Sequence, residues 1–161
     1  MPNHSRTVIH TMRLRILATA IGLLALASSP SWAALGGDAE SIRRDHRALG
    51  AADLVTLRSG YELHEAQTAD GTRVRQYLDP AAGRVFAVTW QGSRQPRLGE
   101  VLGSFAPRYF SAANAHRGSH HVMSVSEPDF ALTILRLPRG WQGEASVPGA
   151  LPAGVDRREI R

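Results

Sequence analysis

The sequence predicts an α+β fold: an antiparallel sheet built from a three-stranded meander, then a helix, then two or three further strands, with helical cover on one face. Three observations carry this. Two turn signals, Asp70-Gly71 and Asp79-Pro80-Ala81-Ala82-Gly83, divide Tyr61 to Trp90 into three strand-like runs. Leu98, Val101, Leu102 and Phe105 follow the i, i+3, i+4, i+7 spacing of one helical face. Phe130 to Leu137 is a β-forming run closed off by Pro128 before it and Pro138 after it.

The N-terminus comes first in the chain. Arg13 and Arg15 precede an unbroken apolar run from Ile16 to Ala27, and Ser31-Trp32-Ala33 ends the segment with small residues at the positions a signal peptidase reads. Residues 1–33 are therefore expected to be a cleavable secretory signal peptide, cut after Ala33. The apolar run is well short of the ~20 residues that cross a bilayer, so no membrane span is expected once the leader is removed. Met12 stands directly before the charged residues and offers a second start. Residues 34–59 are charged, with Ile42 and Leu49 seven apart as the only hint of a helix, and are expected to form a flexible linker. The remainder, 60–161, is expected to be one domain.

Within that domain a two-residue turn at Asp70-Gly71 pairs Gln67 with Val74, His64 with Tyr77 and Leu63 with Leu78. Side-chain alternation then places Tyr61, Leu63, Val74 and Leu78 on one face and Glu62, His64, Ala66, Arg73, Arg75 and Tyr77 on the other. The second turn sets Arg84 opposite Leu78 and adds Phe86, Val88 and Trp90 to the apolar face. Glu65 and Gln76 fall on that face too and have to reach its rim. Pro96 opens the helix, Pro107 ends or kinks it, and Arg108 to Ala115 forms a second piece with Tyr109 and Phe110 inward. After a polar connection, His121 to Val125 and Phe130 to Leu137 read as strands, Trp141 to Val147 as a short edge strand, and the Pro/Gly-rich tail as extended cover.

Composition narrows the function classes. The chain has 161 residues, 19 basic against 14 acidic, for a net charge of +5, and all the basic residues are arginine. Three of them, Arg6, Arg13 and Arg15, lie in the leader, leaving 16 against 14. No basic stripe with interleaved aromatics remains, which disfavours nucleic acid as a partner. There is no cysteine, so disulfides, thiolate metal ligands and a lipidated cysteine are excluded.

Several runs together resemble one family: Ala34-Leu35-Gly36-Gly37, G-T-R-V-R-Q-Y from Gly71 to Tyr77, V-F-A-V-T-W-Q-G from Val85 to Gly92, L-G-S-F from Leu102 to Phe105, and L-P-A-G-V from Leu151 to Val155. These look like the bacterial secreted family catalogued as domain of unknown function 2844. The resemblance covers essentially the whole chain after the leader. It implies an exported bacterial protein with one domain, in the periplasm or secreted, and supplies no catalytic residue.

Two groups of side chains invite chemistry. Arg73, Arg75 and Tyr77, with His64 opposite Tyr77, form a candidate binding face for an envelope protein, a peptide or an anionic component; guanidinium and phenol groups contact both apolar and anionic surface. An exposed strand edge is a second route to a partner. His116, His120 and His121 form an H-x3-H-H cluster that could ligate a metal, although Gly118 and Ser119 between them indicate a loop. No G-x-S-x-G, H-E-x-x-H or phosphate-binding loop occurs, and no cofactor is expected. The sequence thus points to a non-enzymatic exported binding or accessory module, with a small hydrolase or a metal-binding protein using the histidine cluster as the alternative.

Overall fold

The computed structural model describes residues 34–48, 51–115 and 121–161. The expected leader, 1–33, and two of the three clustered histidines, His116 and His120, lie outside the described residues.

The segment read as a linker carries defined structure. Helix α1 (Ala39–Ala48) starts on a reciprocal cap: the Ser41 N–H donates to Asp38 Oδ1 at 2.8 Å, and the Asp38 N–H donates to Ser41 Oγ at 3.0 Å. Leu35 and Ile42 are fully buried. The main chain before α1 is stitched to the rest of the fold, with Leu35 N–H donating to Val101 O at 3.0 Å and Gly36 N–H to Val85 O at 2.8 Å. Two well-placed apolar side chains and a cap hold this segment where a repeating apolar pattern is lacking.

Seven strands follow: β1 (Leu54–Arg58), β2 (Tyr61–Gln67), β3 (Arg73–Asp79), β4 (Arg84–Gly92), β5 (Val122–Glu127), β6 (Phe130–Leu137) and β7 (Gly140–Ser146). All pairs are antiparallel, in the spatial order β1-β2-β3-β4-β7-β6-β5. The two meanders are joined by α2 (Leu98–Leu102), a 3₁₀ turn (Gly103–Phe105) and α3 (Ala106–Ala115). The break between the helices falls at Gly103, whose φ of 53° is left-handed, and Pro107 occupies the first turn of α3, where its missing N–H is harmless. β7, expected at an edge, sits in the interior of the sheet between β4 and β6.

The register of the β2–β3 hairpin is one residue away from the expected one. Leu63 pairs with Tyr77, His64 with Gln76 and Ala66 with Val74. The loop holds three residues instead of two: Thr68 closes it with Thr72 (N–H to O, 2.9 Å), and the Gly71 N–H donates to Thr68 O at 2.9 Å with Gly71 at φ 83°. A type I turn followed by a left-handed glycine is the usual form of such a loop. Thr68 and Asp70 favour it by hydrogen-bonding to each other, while Asp70 Oδ1 accepts from the Thr72 N–H. A slip of one residue exchanges the two faces of a strand.

The first face therefore carries Val74, Leu78, Val88 and Trp90, in one buried cluster with Ile42, Leu98, Val101, Leu102, Phe130 and Leu132. Trp90 pairs with Gly143, and a Cβ on Gly143 would lie inside the indole, so the ring is accommodated only because that position has no side chain. The second face has a smaller core of Tyr61, Tyr77, Phe86, Ala87 and Ile160, with Leu63, Leu151 and Val155 against it. Phe86 was expected on the first face with Val88. A β-bulge redirects it: Leu78 pairs with Val85 and Tyr77 with Ala87, leaving Phe86 as the extra residue.

Candidate functional site

The corrected register decides where each expected site residue lies. Arg73, Arg75 and Tyr77 remain together on the second face, because they alternate along one strand. His64 goes to the first face, where it is 3% exposed. There its Nδ1 lies 3.2 Å from Asp53 Oδ1 and its Nε2 lies 3.4 Å from Glu62 Oε2. His46, from α1, joins the same carboxylate: its Nδ1 is 2.9 Å from Asp53 Oδ1, without hydrogen-bond alignment, and its Nε2 meets Gln76 Oε1 at 3.1 Å. Asp53 thus fastens α1 to β2 through two buried imidazoles. Both imidazoles are buried, while the Asp53 and Glu62 carboxylates stay partly exposed.

Nearby, Asp45 is 4% exposed, and its Oδ2 has no hydrogen-bond partner. Burial, with Glu100 adding to it and Arg44 opposing, pushes its carboxyl up to about 7.

Tyr77 is also buried, by the end of the chain. Its hydroxyl donates to Arg161 O at 2.7 Å and accepts from Arg161 N–H at 2.9 Å, while Arg75 Nη1 donates to the same Arg161 O at 2.7 Å. Ile160 packs beneath this anchor at 4% exposure, and a capping box between Asp156 and Glu159 shapes the approach. The segment from Val147 to Arg161 is a strap over one half of the second face.

The other half is open, and pairing across the sheet aligns its side chains in two rows. One row runs Glu65, Arg75, Thr89, Glu144, Thr133, Ser124; the next runs Gln67, Arg73, Gln91, Gln142, Leu135, Val122. Where the rows meet the strap there is a pocket of about 230 Å³ lined by Arg73, Arg75, Gln91, Gln142, Glu144 and Arg161 among others. Glu65 is hydrogen-bonded to Arg75 at 2.8 Å and lies 3.7 Å from Arg73, whose side chain stays 55% exposed. Arg157 lies 3.8 Å from Glu144 and favours its ionised form, but burial prevails and the carboxyl is raised above its ordinary value. The pocket offers guanidinium and amide donors beside one carboxylate of weakened acidity. That set suits a carboxylate or a peptide main chain.

Sequence reasoning missed Gln91, Gln142 and Glu144, since they enter the site only when β7 lies against β4. The signal available was Gly143, which suits a central strand beneath a large ring better than a free edge. Of the expected metal cluster, His121 alone is described, exposed at the start of β5. Among the described residues no group of three or more His, Cys, Asp or Glu side chains could hold a metal ion.

These features define an α+β protein with a seven-stranded antiparallel sheet and one partly strapped face. The chain belongs to the family described as Protein of unknown function (DUF2844), which matches residues 31–160. No curated protein and no solved structure matches it. Among the described residues, no helix is long and apolar enough to cross a membrane.

Proposed function

We propose that the protein is an exported, non-enzymatic accessory module of the bacterial cell envelope, which holds a carboxylate-bearing segment of an envelope protein or peptide on the open half of its second face. One observation carries the reading: Arg73, Gln91 and Gln142 project from three adjacent strands into one pocket, with Arg73 largely exposed. In this reading the helices from Leu98 to Ala115 cover the first face, leaving the second to do the binding. The leader pattern ending at Ala33 supports export to the periplasm or beyond.

Arg75 is tied to Glu65 and Arg161, so the test uses Arg73→Gln with Gln142→Ala. Peptides and proteins from an envelope extract are captured on the purified protein and on this double variant. The variant is expected to bind at least about tenfold more weakly, as loss of a charge-assisted contact predicts. Equal capture by both would reject the pocket. Mass spectrometry of the exported protein is expected to find its first residue near Ala34; a chain retaining its leader would reject export by this route.

A further inference from the structure

The β1 edge of the sheet is built differently from the pocket. Among the described residues β1 pairs only with β2, through five consecutive residue pairs and no bulge, so its outer side presents a row of main-chain donors and acceptors. Its side chains are apolar and bare: Leu54 is 62% exposed, Val55 44% and Leu57 75%. Edge strands are ordinarily blunted by lysine, proline, bulges or inward charges. β1 reads Leu-Val-Thr-Leu-Arg and carries none of these before its last residue. At the opposite edge, β5 shows one exposed apolar side chain, Val122, among the exposed Ser124, Ser126 and Glu127.

We propose that β1 pairs antiparallel with β1 of a second copy about a two-fold axis at Thr56, joining two seven-stranded sheets into one. The strand is self-complementary in this register. Val55 faces Leu57 of the second copy, twice, covering apolar side chains on the first face. Leu54 faces Arg58 of the second copy, again twice, and can cover the aliphatic stem of that arginine. Arg58 is the only charge in the strand, and here it never meets its own copy. It lies across Leu54 from Glu65, whose carboxylate is already engaged by Arg75 and Arg73. A register centred on Arg58 would set like charges face to face, and one centred on Val55 would leave Leu57 and Arg58 without partners. Five residues per strand make a contact at the small end of specific interfaces, so the dimer is reversible.

The axis at Thr56 gives a direct test, because any residue placed there meets itself. Sedimentation velocity over a dilution series should show a monomer–dimer equilibrium. Thr56→Arg and Thr56→Glu should each weaken dimerisation by at least about tenfold through like charges directly opposed, and mixing the two should restore it. The chain has no cysteine, so Thr56→Cys introduces a single thiol that should form a disulfide-linked dimer under mild oxidation. Thr133→Cys, exposed in the middle of the second face, should not. Circular dichroism confirms that each variant is folded. A monomer at every concentration, a dimer indifferent to both charges, or equal cross-linking through Thr133→Cys would each overturn the proposal.

Discussion

The two faces of β3 and β4 are buried by different means. On the first, Val74, Val88 and Trp90 meet side chains from α1, α2 and β6 in one large cluster. On the second, Tyr77, Phe86 and Ala87 are sealed by an irregular strap that ends on Ile160 and Arg161. The first closure is a large apolar cluster with the buried polar group of His46, His64 and Gln76 beside it. The second depends on a few anchors and stops at Thr89, beyond which polar rows begin. A sheet that buries its second face only partly keeps a flat, hydrogen-bonding surface beside a wall of its own chain, which is where the pocket lies.

Substitutions at one face or the other break this comparison to different degrees. Trp90→Ala should have the largest effect, lowering unfolding stability by about 3 to 5 kcal/mol and weakening every transition together, as a large void in a shared cluster does. Chemical denaturation followed by circular dichroism measures it, and a loss under about 1 kcal/mol would show that the two faces contribute alike.

Asp45→Asn probes the first face through pH. The Asp45 carboxyl is raised in the folded protein to about 7 from an ordinary 3.8, so the folded state holds this proton more tightly than the unfolded chain. Its stabilising effect is full below about pH 4 and is lost as pH rises through about 7. At pH 8 the parent keeps a buried charge without a hydrogen bond at Oδ2, and Asp45→Asn should be more stable there by about 1 to 3 kcal/mol. Near pH 4 the two should converge. A gain that does not change with pH would place the cause elsewhere.

Tyr77→Phe should have the smallest effect, about 1 to 2 kcal/mol, since it removes the hydroxyl that both donates to and accepts from Arg161. The loss should be local. Hydrogen exchange is expected to quicken from Val147 to Arg161 while β3 and β4 stay protected; uniform quickening would mean that the strap and the sheet open as one unit.

Strand identity from Tyr61 to Trp90 and from Phe130 to Leu137 was legible because alternation and turn residues agree there. Register was less so. Asp70-Gly71 fits both a two-residue and a three-residue hairpin, and the choice depends on hydrogen bonds made by Thr68, outside the dipeptide. That single residue moved His64 from the candidate face into a buried group with Asp53. Phe86 was misplaced because a bulge leaves no mark in an apolar run. Ile42 gave only a hint of a helix, and neither it nor Leu35 was read as a core anchor, because two anchors make no period. Arg73 and Arg75 kept their shared face because two residues apart on one strand survives any register. Gln91 and Gln142 needed the long-range pairing of β4 with β7, on which local patterns are silent.

The interior position of β7 also sets a sequence of events for a chain made from its N-terminus. The first meander and the second can each form from neighbouring segments, but β4 and β6 remain two raw edges until Gly140–Ser146 exists to lie between them. The joining contacts, such as Val88 with Ala145, are long in loop length and slow to find. The sheet cannot close early. Until Gly140–Ser146 is available it stays open between β4 and β6.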